Sequence, residues 1–530
     1  MRPNDAPEGL QIKRISLKES SAMKIAFFNI GQPHLALEIL SAIAKQEGHI
    51  VRGLHAPTLF KEGLTREFKR LAEFFNYDKS LLSKQLEVFQ PDLVAFSVVT
   101  YYYKLSLYYA EMCKKICPRT KIVFGGIHVS CCPDVVIAHP AVDYIVIGEG
   151  EIAFLEIIKH IERGQPPEPI VNTWYKTGGG SLIKGKQIGF IQNLDSLPHY
   201  DKEIIPDFYL WKHYYLTITS RGCPYNCSYC FNHYFKNLPE ESSPYVRRRS
   251  VKHVIEELVL AKKKYNFRLI EFWDDIFILD KVWLREFLDA YKKEIAVPFK
   301  CYIHVNLFDE ETAVLLKEAG CRWVDFGIQH INEAYRKKYL RRPETNAQIA
   351  NTLKILKKHG IVSFADYIVA LPGDTLAHNE EARLFFVENT PDIIEPYWMS
   401  YHPKTDIIQK GLEEKILDED MINLIDQGYN PNSYFAGALG AQDFHQEYYF
   451  IFKVLPALPR FLRKRLTYDV SKRIPYGIKI LIYIYSIYFL AIKHKSPRVK
   501  AFTLYITRYL FYVLKSKYFP KKLIDDCRVP

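Results

Sequence analysis

Three cysteines stand close together in one short stretch of the sequence, at Cys223, Cys227 and Cys230. They follow the apolar run YLTITS, which predicts a strand, so all three are expected in a loop at the strand's carboxyl end. Three thiolates in eight residues can converge on one metal centre. Because only three soft ligands are present, a four-iron cluster bound here would keep one iron open to an external group. A zinc site is the alternative, with His233 as the nearest candidate for a fourth ligand.

The spacing Cys-x3-Cys-x2-Cys, with an aromatic residue before its third cysteine, resembles the motif of the radical S-adenosylmethionine (SAM) superfamily. The resemblance implies that Cys223, Cys227 and Cys230 are the catalytic, metal-ligating residues and bind three irons of a [4Fe–4S] cluster. It also implies that the fourth iron binds SAM, and that reductive cleavage of SAM gives a 5′-deoxyadenosyl radical. Tyr229 is expected to stack against the adenine of SAM.

Further SAM-binding residues are expected at the ends of later strands. Asp274 and Asp275 end the second expected barrel strand, where the resemblance places polar groups near the ammonium or ribose of SAM. Helix capping is the alternative for Asp275. Residues 327–330 take the place of a Gly-x-Glu-Ser pattern, and residues 370–374 that of Gly-Leu-Pro-Gly-Glu. Gln329 is neutral where an acid is common, and we expect it to hydrogen-bond the same cofactor.

From residue 23 to about residue 165, apolar β-branched runs alternate with helical patterns, which predicts a Rossmann-like α/β domain with a parallel sheet. Ligands of such sheets lie in the loops at the carboxyl ends of the strands. These loops resemble those of the cobalamin (B12)-binding domain that is fused to many radical SAM enzymes. The residues that the resemblance places against cobalamin are Ser97, Gly125, Gly126, His128, Gly148, Glu149 and Gly150.

The element that supplies an imidazole to cobalt in other cobalamin proteins is degenerate in this sequence. Its nearest candidate is His34, and Gln32 stands where that element has its acid, so no carboxylate orients the ring. Because His34 also begins a helical pattern, a capping or solvent-facing role is favoured over ligation of cobalt.

The remaining segments complete the expected α/β organisation. Residues 166–210 are rich in Pro, Gly and polar residues and predict a linker with a small hairpin. Residues 211–420 contain six strand–helix repeats, which predict a partial or complete TIM-type radical SAM barrel. Residues 421–530 predict a basic, aromatic and mostly helical region. Residues 1–22 predict a disordered leader, and Met23 is an alternative start of the chain.

Composition limits the class of protein. The chain has 530 residues, of which 48% are hydrophobic and 25% charged, and this balance excludes wholesale disorder and a polytopic membrane protein. Ten cysteines are too few for a disulfide-stapled secreted scaffold. The polar amino-terminal segment has no apolar region typical of a signal peptide, so a cytoplasmic location is expected.

The basic charge is concentrated near the carboxyl terminus. Residues 451–530 contain 18 Lys and Arg against three acids, whereas the whole chain has a net charge of +12. Residues 476–492 are apolar and aromatic with basic flanks, which suits a helix lying at an anionic bilayer surface. A buried helix with solvated charges is the alternative. Nucleic-acid binding is disfavoured, because the charges flank an apolar run instead of lining a polar groove.

The resemblance implies an anaerobic enzyme that takes electrons from a low-potential donor and acts on an unactivated C–H bond of a small molecule. The basic, apolar tail favours a hydrophobic or lipid-like substrate and peripheral contact of residues 451–530 with the inner membrane surface. C-methylation with cobalamin is the favoured reaction. The alternatives are oxidative cyclisation, as in the anaerobic porphyrin cyclase branch, and RNA modification through the basic tail. Three intact cysteines argue against a non-catalytic cofactor-binding module.

Overall fold

The computed structural model describes residues 22–31, 34–56, 79–164, 168–205, 214–429 and 437–495, together with residues 507, 508, 510 and 514. The leader expected over residues 1–22 lies outside the described residues, except for residue 22 itself. Most of the tail after residue 495 also lies outside them.

The first part of the chain builds a seven-stranded sheet. Its strands are Lys24–Ile30 (β1), Ile50–Ala56 (β2), Leu93–Ser97 (β3), Lys121–Gly125 (β4), Tyr144–Val146 (β5), Thr173–Lys176 (β6) and Leu182–Lys184 (β7). Their order across the sheet is β2-β1-β3-β4-β5-β6-β7, and the first five strands are mutually parallel. The predicted Rossmann-like sheet is therefore present.

Helices cover both faces of this sheet, as continuous apolar strands require. They are Leu35–Gln46 (α1), Lys79–Phe89 (α2), Tyr103–Ile116 (α3), Ile127–Cys131 (α4), Pro133–Ala138 (α5) and Glu151–Arg163 (α6). Successive residues of β1 point to opposite faces: Phe27 packs in the core under α1 and α6, and Phe28 in the core under α2 and α3. Strands β6 and β7 form the hairpin expected within residues 166–210, and this hairpin extends the sheet in antiparallel fashion.

The second sheet has six parallel strands. They are Tyr214–Thr217 (β8), Leu269–Phe272 (β11), Phe299–Tyr302 (β12), Cys321–Gln329 (β13), Val362–Val369 (β14) and Ile393–Trp398 (β15). Between β8 and β11 lies a short antiparallel pair, Ser220–Arg221 (β9) and Arg247–Arg248 (β10). The six strands follow chain order from β8 at one edge to β15 at the other. Within the described residues the sheet is therefore a partial barrel.

Thirteen helices follow the first strand of the barrel within the described residues, seven in the barrel repeats and six after them. They are Asn232–Phe235 (α7), Val251–Tyr265 (α8), Lys281–Glu294 (α9), Glu310–Glu318 (α10), Glu333–Tyr339 (α11), Asn346–Lys358 (α12), Leu376–Glu388 (α13), Ile407–Glu413 (α14), Glu419–Asp426 (α15), Asp443–Val454 (α16), Arg460–Arg465 (α17), Tyr468–Arg473 (α18) and Tyr476–Lys493 (α19). Side-chain hydrogen bonds cap the amino-terminal ends of several of these helices. Ser250 accepts from the His253 N–H ahead of α8, and Thr345 and Gln348 form a capping box at α12.

The carboxyl-terminal helices pack on the last strands of the barrel and on the helix between them. Helix α16 lies against β15 and α13, and its residues Tyr448, Ile451 and Phe452 belong to the barrel core. Helix α19 packs on α16 and buries Tyr483 and Leu490. Of the helices described, α19 is the one long and apolar enough to cross a membrane by length and composition.

A buried ion pair in the linker connects helix α1 to the first strand of the barrel. Lys202 Nζ lies 2.5 Å from Glu38 Oε2 on α1 and donates to the carbonyl of Leu216 on β8 at 2.7 Å. Both charged side chains are almost completely buried. Burial raises the pKa of Glu38 to about 7, and the neighbouring Lys202 ammonium limits that rise. The linker is thus fixed to both halves of the molecule.

We predict that Lys202→Met lowers the free energy of unfolding by about 3–5 kcal/mol, because it leaves the Glu38 carboxyl buried without its counter-charge. The double variant Glu38→Leu/Lys202→Met should recover most of the loss, since no uncompensated charge remains. Urea unfolding of the apoprotein followed by circular dichroism measures both. Equal stability of Lys202→Met and the wild type would contradict the role given to this ion pair.

Candidate active site

The cysteine loop follows β8 and β9 at the carboxyl end of the barrel. Gly222 begins it with a φ of +88°, and a Cβ there would collide with the carbonyl of Tyr245, so the turn requires glycine. The loop is fixed farther along, where Ser228 Oγ donates to the carbonyl of Tyr339 at 2.5 Å. The Cys230 N–H donates to the Cys227 carbonyl at 3.1 Å. The expected position of the triplet is confirmed.

The three thiols lie close enough to influence one another electrostatically. Burial raises the pKa of Cys223 to about 12 and that of Cys230 to about 11, and the neighbouring thiols add to both shifts. Cys227 is buried, the other two are half-buried, and all three are free thiols. A metal would bind them as thiolates and displace their protons. Three neighbouring soft donors are the chemistry that an iron–sulfur cluster with one open iron requires.

His233 does not complete a four-ligand zinc site. Its Nδ1 lies 2.8 Å from the carbonyl oxygen of Cys230, and its Nε2 lies 3.0 Å from Asp406 Oδ1. Both ring nitrogens therefore face oxygen atoms and not the cysteine sulfurs. A zinc knuckle needs a fourth nearby ligand, and His233 was the candidate for it. The structure therefore disfavours the zinc alternative.

Arg342 links several parts of the site and was not singled out by the sequence. This buried guanidinium lies 3.9 Å from Cys227 Sγ, donates to the Tyr229 hydroxyl at 3.1 Å and donates to the Gly327 carbonyl at 2.8 Å. It also forms an ion pair with Glu344. Its sequence signal is only an Arg-Arg-Pro run after a short helix, and such a run does not indicate what the side chain contacts.

Tyr229 and Gln329 are brought to the same region. Gln329 ends β13 with a φ of +65°, and its amide folds over Gly327 so closely that a Cβ on Gly327 would collide with it. Arg342 donates to both Tyr229 and Gly327, so it connects the cysteine loop to the end of β13. Two of the residues expected to bind SAM therefore lie on either side of one arginine.

The two neighbouring aspartates have different environments. Asp274 is buried and accepts hydrogen bonds from the Thr219 N–H and hydroxyl and from the Ser220 hydroxyl, at 3.0, 2.6 and 2.5 Å. Its carboxylate thus holds the backbone just before the cysteine loop. Asp275 is exposed, accepts from Asn232 Nδ2 at 3.1 Å and adds to the raised pKa of Cys223 and Cys230. Asp275 faces the triplet and does not cap the next helix, where Asp280 is the cap.

A cavity of about 290 Å³ lies at the carboxyl edge of the first sheet and reaches the barrel. Six of the seven residues expected to contact cobalamin line it: Ser97, Gly125, Gly126, Gly148, Glu149 and Gly150. His128 is absent from the lining, because it lies in α4 with its side chain buried and its Nδ1 3.2 Å from the Thr100 hydroxyl. His34 precedes α1 and lies outside the lining, with its Nε2 3.4 Å from the Ile30 carbonyl and no side-chain capping bond.

Glycines give the cavity its open surface. A Cβ on Gly126 would approach the backbone of Val98 to 2.8 Å, so two strand-end loops meet at this residue. A Cβ on Gly125 would meet nothing closer than 3.8 Å, and Gly148 has nothing within 4 Å. The open space above these glycines and the mostly apolar walls fit the face of a large, flat cofactor.

Ion pairs connect this cavity to the cysteine loop. Arg221 lies 3.0 Å from Glu149 and 2.5 Å from Glu151, and Arg247 lies 2.9 Å from Glu149. The two arginines hold the pKa of Glu149 below its usual value against the effect of burial. Arg221 also lines the cavity and stands two residues before Cys223. One wall of the cavity is therefore continuous with the cysteine loop.

Two family models match the chain. Residues 217–386 match the Radical SAM superfamily, and residues 32–158 match the B12 binding domain. The first region contains the cysteine triplet, Asp274, Asp275 and Gln329, and the second contains the glycine-lined strand ends. The matches agree with the division of the molecule into two sheets.

Known proteins with related sequences include a methyltransferase and a cyclase. An uncharacterized methyltransferase of Pyrococcus horikoshii is 29% identical over 299 residues, which cover 56% of this chain and 63% of that protein. An anaerobic magnesium-protoporphyrin IX monomethyl ester cyclase of Rubrivivax gelatinosus is 24% identical over 422 residues, which cover 75% of this chain and 71% of that protein. The chain therefore spans less than two thirds of the first of these relatives.

The solved structure of the radical S-adenosylmethionine methyltransferase TsrM from Kitasatospora setae, with cobalamin and a [4Fe-4S] cluster bound, has a similar fold. The TM-score is 0.57 at 18% sequence identity, and the match covers 73% of this chain and 77% of that one. The radical SAM domain implies a [4Fe–4S] cluster and SAM, and the B12 binding domain implies cobalamin. The chain therefore contains a Radical SAM domain over residues 217–386 and a B12 binding domain over residues 32–158.

Proposed function

We propose that the protein is a cobalamin-dependent radical SAM methyltransferase that adds a methyl group to an unactivated carbon of a hydrophobic small molecule. The observation that carries the proposal is the position of Arg221, which lines the glycine-rich cavity and leads directly into the cysteine loop. A methyl carrier in that cavity and a radical source at the triplet would then face one substrate. The methyltransferase among the relatives supports this reaction.

When bound, the cluster supplies an electron that cleaves SAM to a 5′-deoxyadenosyl radical, and cobalamin supplies a methyl group. Cys223, Cys227 and Cys230 are the proposed ligands of the cluster. Arg342 positions Cys227 and Tyr229. Asp275 is the proposed partner of the SAM ammonium, because the Asp274 carboxylate already accepts hydrogen bonds from Thr219 and Ser220. An external low-potential donor supplies the electron.

Oxidative cyclisation is the second candidate, favoured by the relative that is a porphyrin ester cyclase. The two reactions start from the same radical and differ in what happens to the substrate carbon. Methylation adds one CH2 unit to the mass of the substrate, whereas cyclisation removes hydrogens. The same two cofactor sites serve either reaction, so product mass distinguishes them.

A hydrophobic substrate is suggested by the outer face of α19. Ile478, Leu481, Tyr485, Tyr488 and Ile492 recur at intervals of three and four residues and are all exposed. The opposite face, with Tyr483 and Leu490, packs on the protein. An apolar stripe beside basic residues is typical of a helix that lies in a membrane interface. We propose that this stripe contacts an anionic membrane from which the substrate is taken.

The proposed reaction is tested with deuteromethyl-SAM, a chemical reductant and a lipid extract of cells from which the gene has been deleted. The wild-type enzyme loaded with cluster and cobalamin is expected to form 5′-deoxyadenosine and a product that carries the deuterated methyl group. Cys227→Ala should reduce 5′-deoxyadenosine at least a hundredfold, because one cluster ligand is lost. Liquid chromatography with mass spectrometry measures both compounds.

Cys117→Ala is the matched control, since this buried cysteine lies at the end of α3 and outside the site. It should form 5′-deoxyadenosine at the wild-type rate. Unchanged SAM cleavage in Cys227→Ala would refute the cluster assignment. A product that has lost hydrogens and gained no label would replace methylation by oxidation.

We predict that Gly125→Leu lowers cobalamin bound per chain at least tenfold while the iron content stays at the wild-type value. The backbone at Gly125 accepts a side chain, but leucine would fill the cavity above the sheet edge. Gly178→Leu, on an exposed turn with open space around it, is the control. Absorbance and cobalt analysis after gel filtration give the result, and full cobalt in Gly125→Leu would contradict the assigned site.

The membrane proposal predicts that the wild-type protein floats with vesicles containing anionic lipid, and that Leu481→Glu/Ile492→Glu reduces the floating fraction at least fivefold. Both positions are strongly exposed, at 67% and 77%, so folding should not change. Val282→Glu, on an equally exposed residue of the barrel, is the control. Failure of the wild type to float would remove the membrane contact and leave the enzymatic proposal intact.

A further inference from the structure

A cluster of three histidines and one aspartate lies beside the candidate active site and takes no part in it. His330 directly follows β13, Asp374 follows β14, His378 is in the first turn of α13 and His445 is in the first turn of α16. His330, Asp374 and His445 are buried, and the side chain of His378 is 24% exposed. Four elements of the fold therefore bring these side chains to one point.

The distances within the cluster are long for hydrogen bonds. Asp374 Oδ1 lies 3.3 Å from His330 Nε2 and 3.4 Å from His378 Nδ1, whereas an N–H···O bond is usually about 2.9 Å. The ligand atoms of these three residues all lie within 4.8 Å of one another. Neither His378 Nδ1 nor His445 Nε2 has a partner at ordinary hydrogen-bond distance in the described residues. Buried nitrogens without partners are costly unless something else binds them.

The two distances from Asp374 Oδ1 fit neighbouring ligands of one tetrahedral metal ion. Zinc bonds of about 2.0–2.1 Å to histidine nitrogen and carboxylate oxygen place neighbouring ligand atoms about 3.3–3.4 Å apart. Both distances from Asp374 Oδ1 fall in this range. Two imidazoles and a carboxylate are also a ligand set of zinc in proteins. The partial exposure of His378 leaves a path for a water molecule as the fourth ligand.

Hydrogen bonds from surrounding residues hold the proposed carboxylate ligand in place. Asn379 Nδ2 donates to Asp374 Oδ2 at 2.8 Å, and the Thr375 N–H donates to Oδ1 at 2.9 Å, so the carboxylate is held in place. His445 Nδ1 accepts from the Gln442 N–H at 2.9 Å, which leaves the proton of a neutral ring on Nε2, 3.5 Å from Asp374 Oδ2. A protonated Nε2 cannot bind a metal ion, so His445 is not itself a proposed ligand.

We propose that His330, Asp374 and His378 form a zinc site that is separate from the cysteine triplet. The ion would tie the ends of β13 and β14 to α13. His330 is the neighbour of Gln329, so the site would also hold the strand end that faces the SAM region. Zinc has no redox chemistry and is therefore compatible with a low-potential cluster nearby. The proposal does not depend on which reaction the enzyme catalyses.

The test is metal analysis of the full-length protein with its iron–sulfur cluster loaded, after equilibration with zinc sulfate and gel filtration. We expect about one zinc per chain at full iron content, and at least a fivefold loss of zinc in His378→Ala. His359→Ala is the control, because this histidine pairs with Glu310 away from the cluster and should keep its zinc. Absence of zinc from the wild type, or equal zinc in His378→Ala, would overturn the proposal.

A second measurement tests whether the zinc is bound by the cysteines instead, and whether loss of zinc reflects misfolding. In the Cys223→Ala/Cys227→Ala/Cys230→Ala variant, zinc should still bind and raise the midpoint of thermal unfolding, and EDTA should reverse the rise. Cobalt(II) added to the same variant should give the intense visible bands of a tetrahedral ion. Weak octahedral bands or no thermal shift would show that the cluster is a hydrogen-bonded group of imidazoles around a carboxylate.

Discussion

Two arginines and two glutamates at the junction of the two sheets determine how the candidate sites face each other. Arg221 and Arg247 come from the short strand pair of the barrel, and Glu149 and Glu151 from the last parallel-strand loop of the first sheet. Buried ion pairs add little net stability, but they fix one geometry because an unpaired charge is costly. This junction fixes the position of the cysteine loop relative to the glycine-lined cavity.

The cysteine loop is held from three directions. Asp274 binds the backbone and hydroxyls just before it, Arg221 is held by the glutamates of the first sheet, and Arg342 approaches Cys227 from beyond β13. A loop that must present three thiols at defined positions requires such support from rigid elements. The side chains that surround the motif are thus as necessary to the site as the cysteines themselves.

Most of the fold was predictable because its elements have strong local patterns. The six barrel strands and helices such as Val251–Tyr265 follow from apolar runs and periodicity, and the cysteine spacing marked the site.

Arg342 could not be found in this way, since its contacts depend on how residue 342 folds back onto residue 227. Asp274 and Asp275 are adjacent and alike in sequence, and only the tertiary structure separates a structural carboxylate from an exposed one. His128 follows the glycine loop as expected, but it lies in α4 with its side chain buried, so loop position alone did not decide what lines the cavity.

The central claim is that one chain holds an open-iron cluster and cobalamin on two sides of a single junction. Anaerobic reconstitution followed by iron, sulfide and cobalt analysis of one preparation tests it most directly. The account predicts about four irons, four sulfides and one cobalt per chain in the same protein peak. Iron and sulfide without cobalt would contradict the shared site, and iron well below four per chain would contradict the cluster itself.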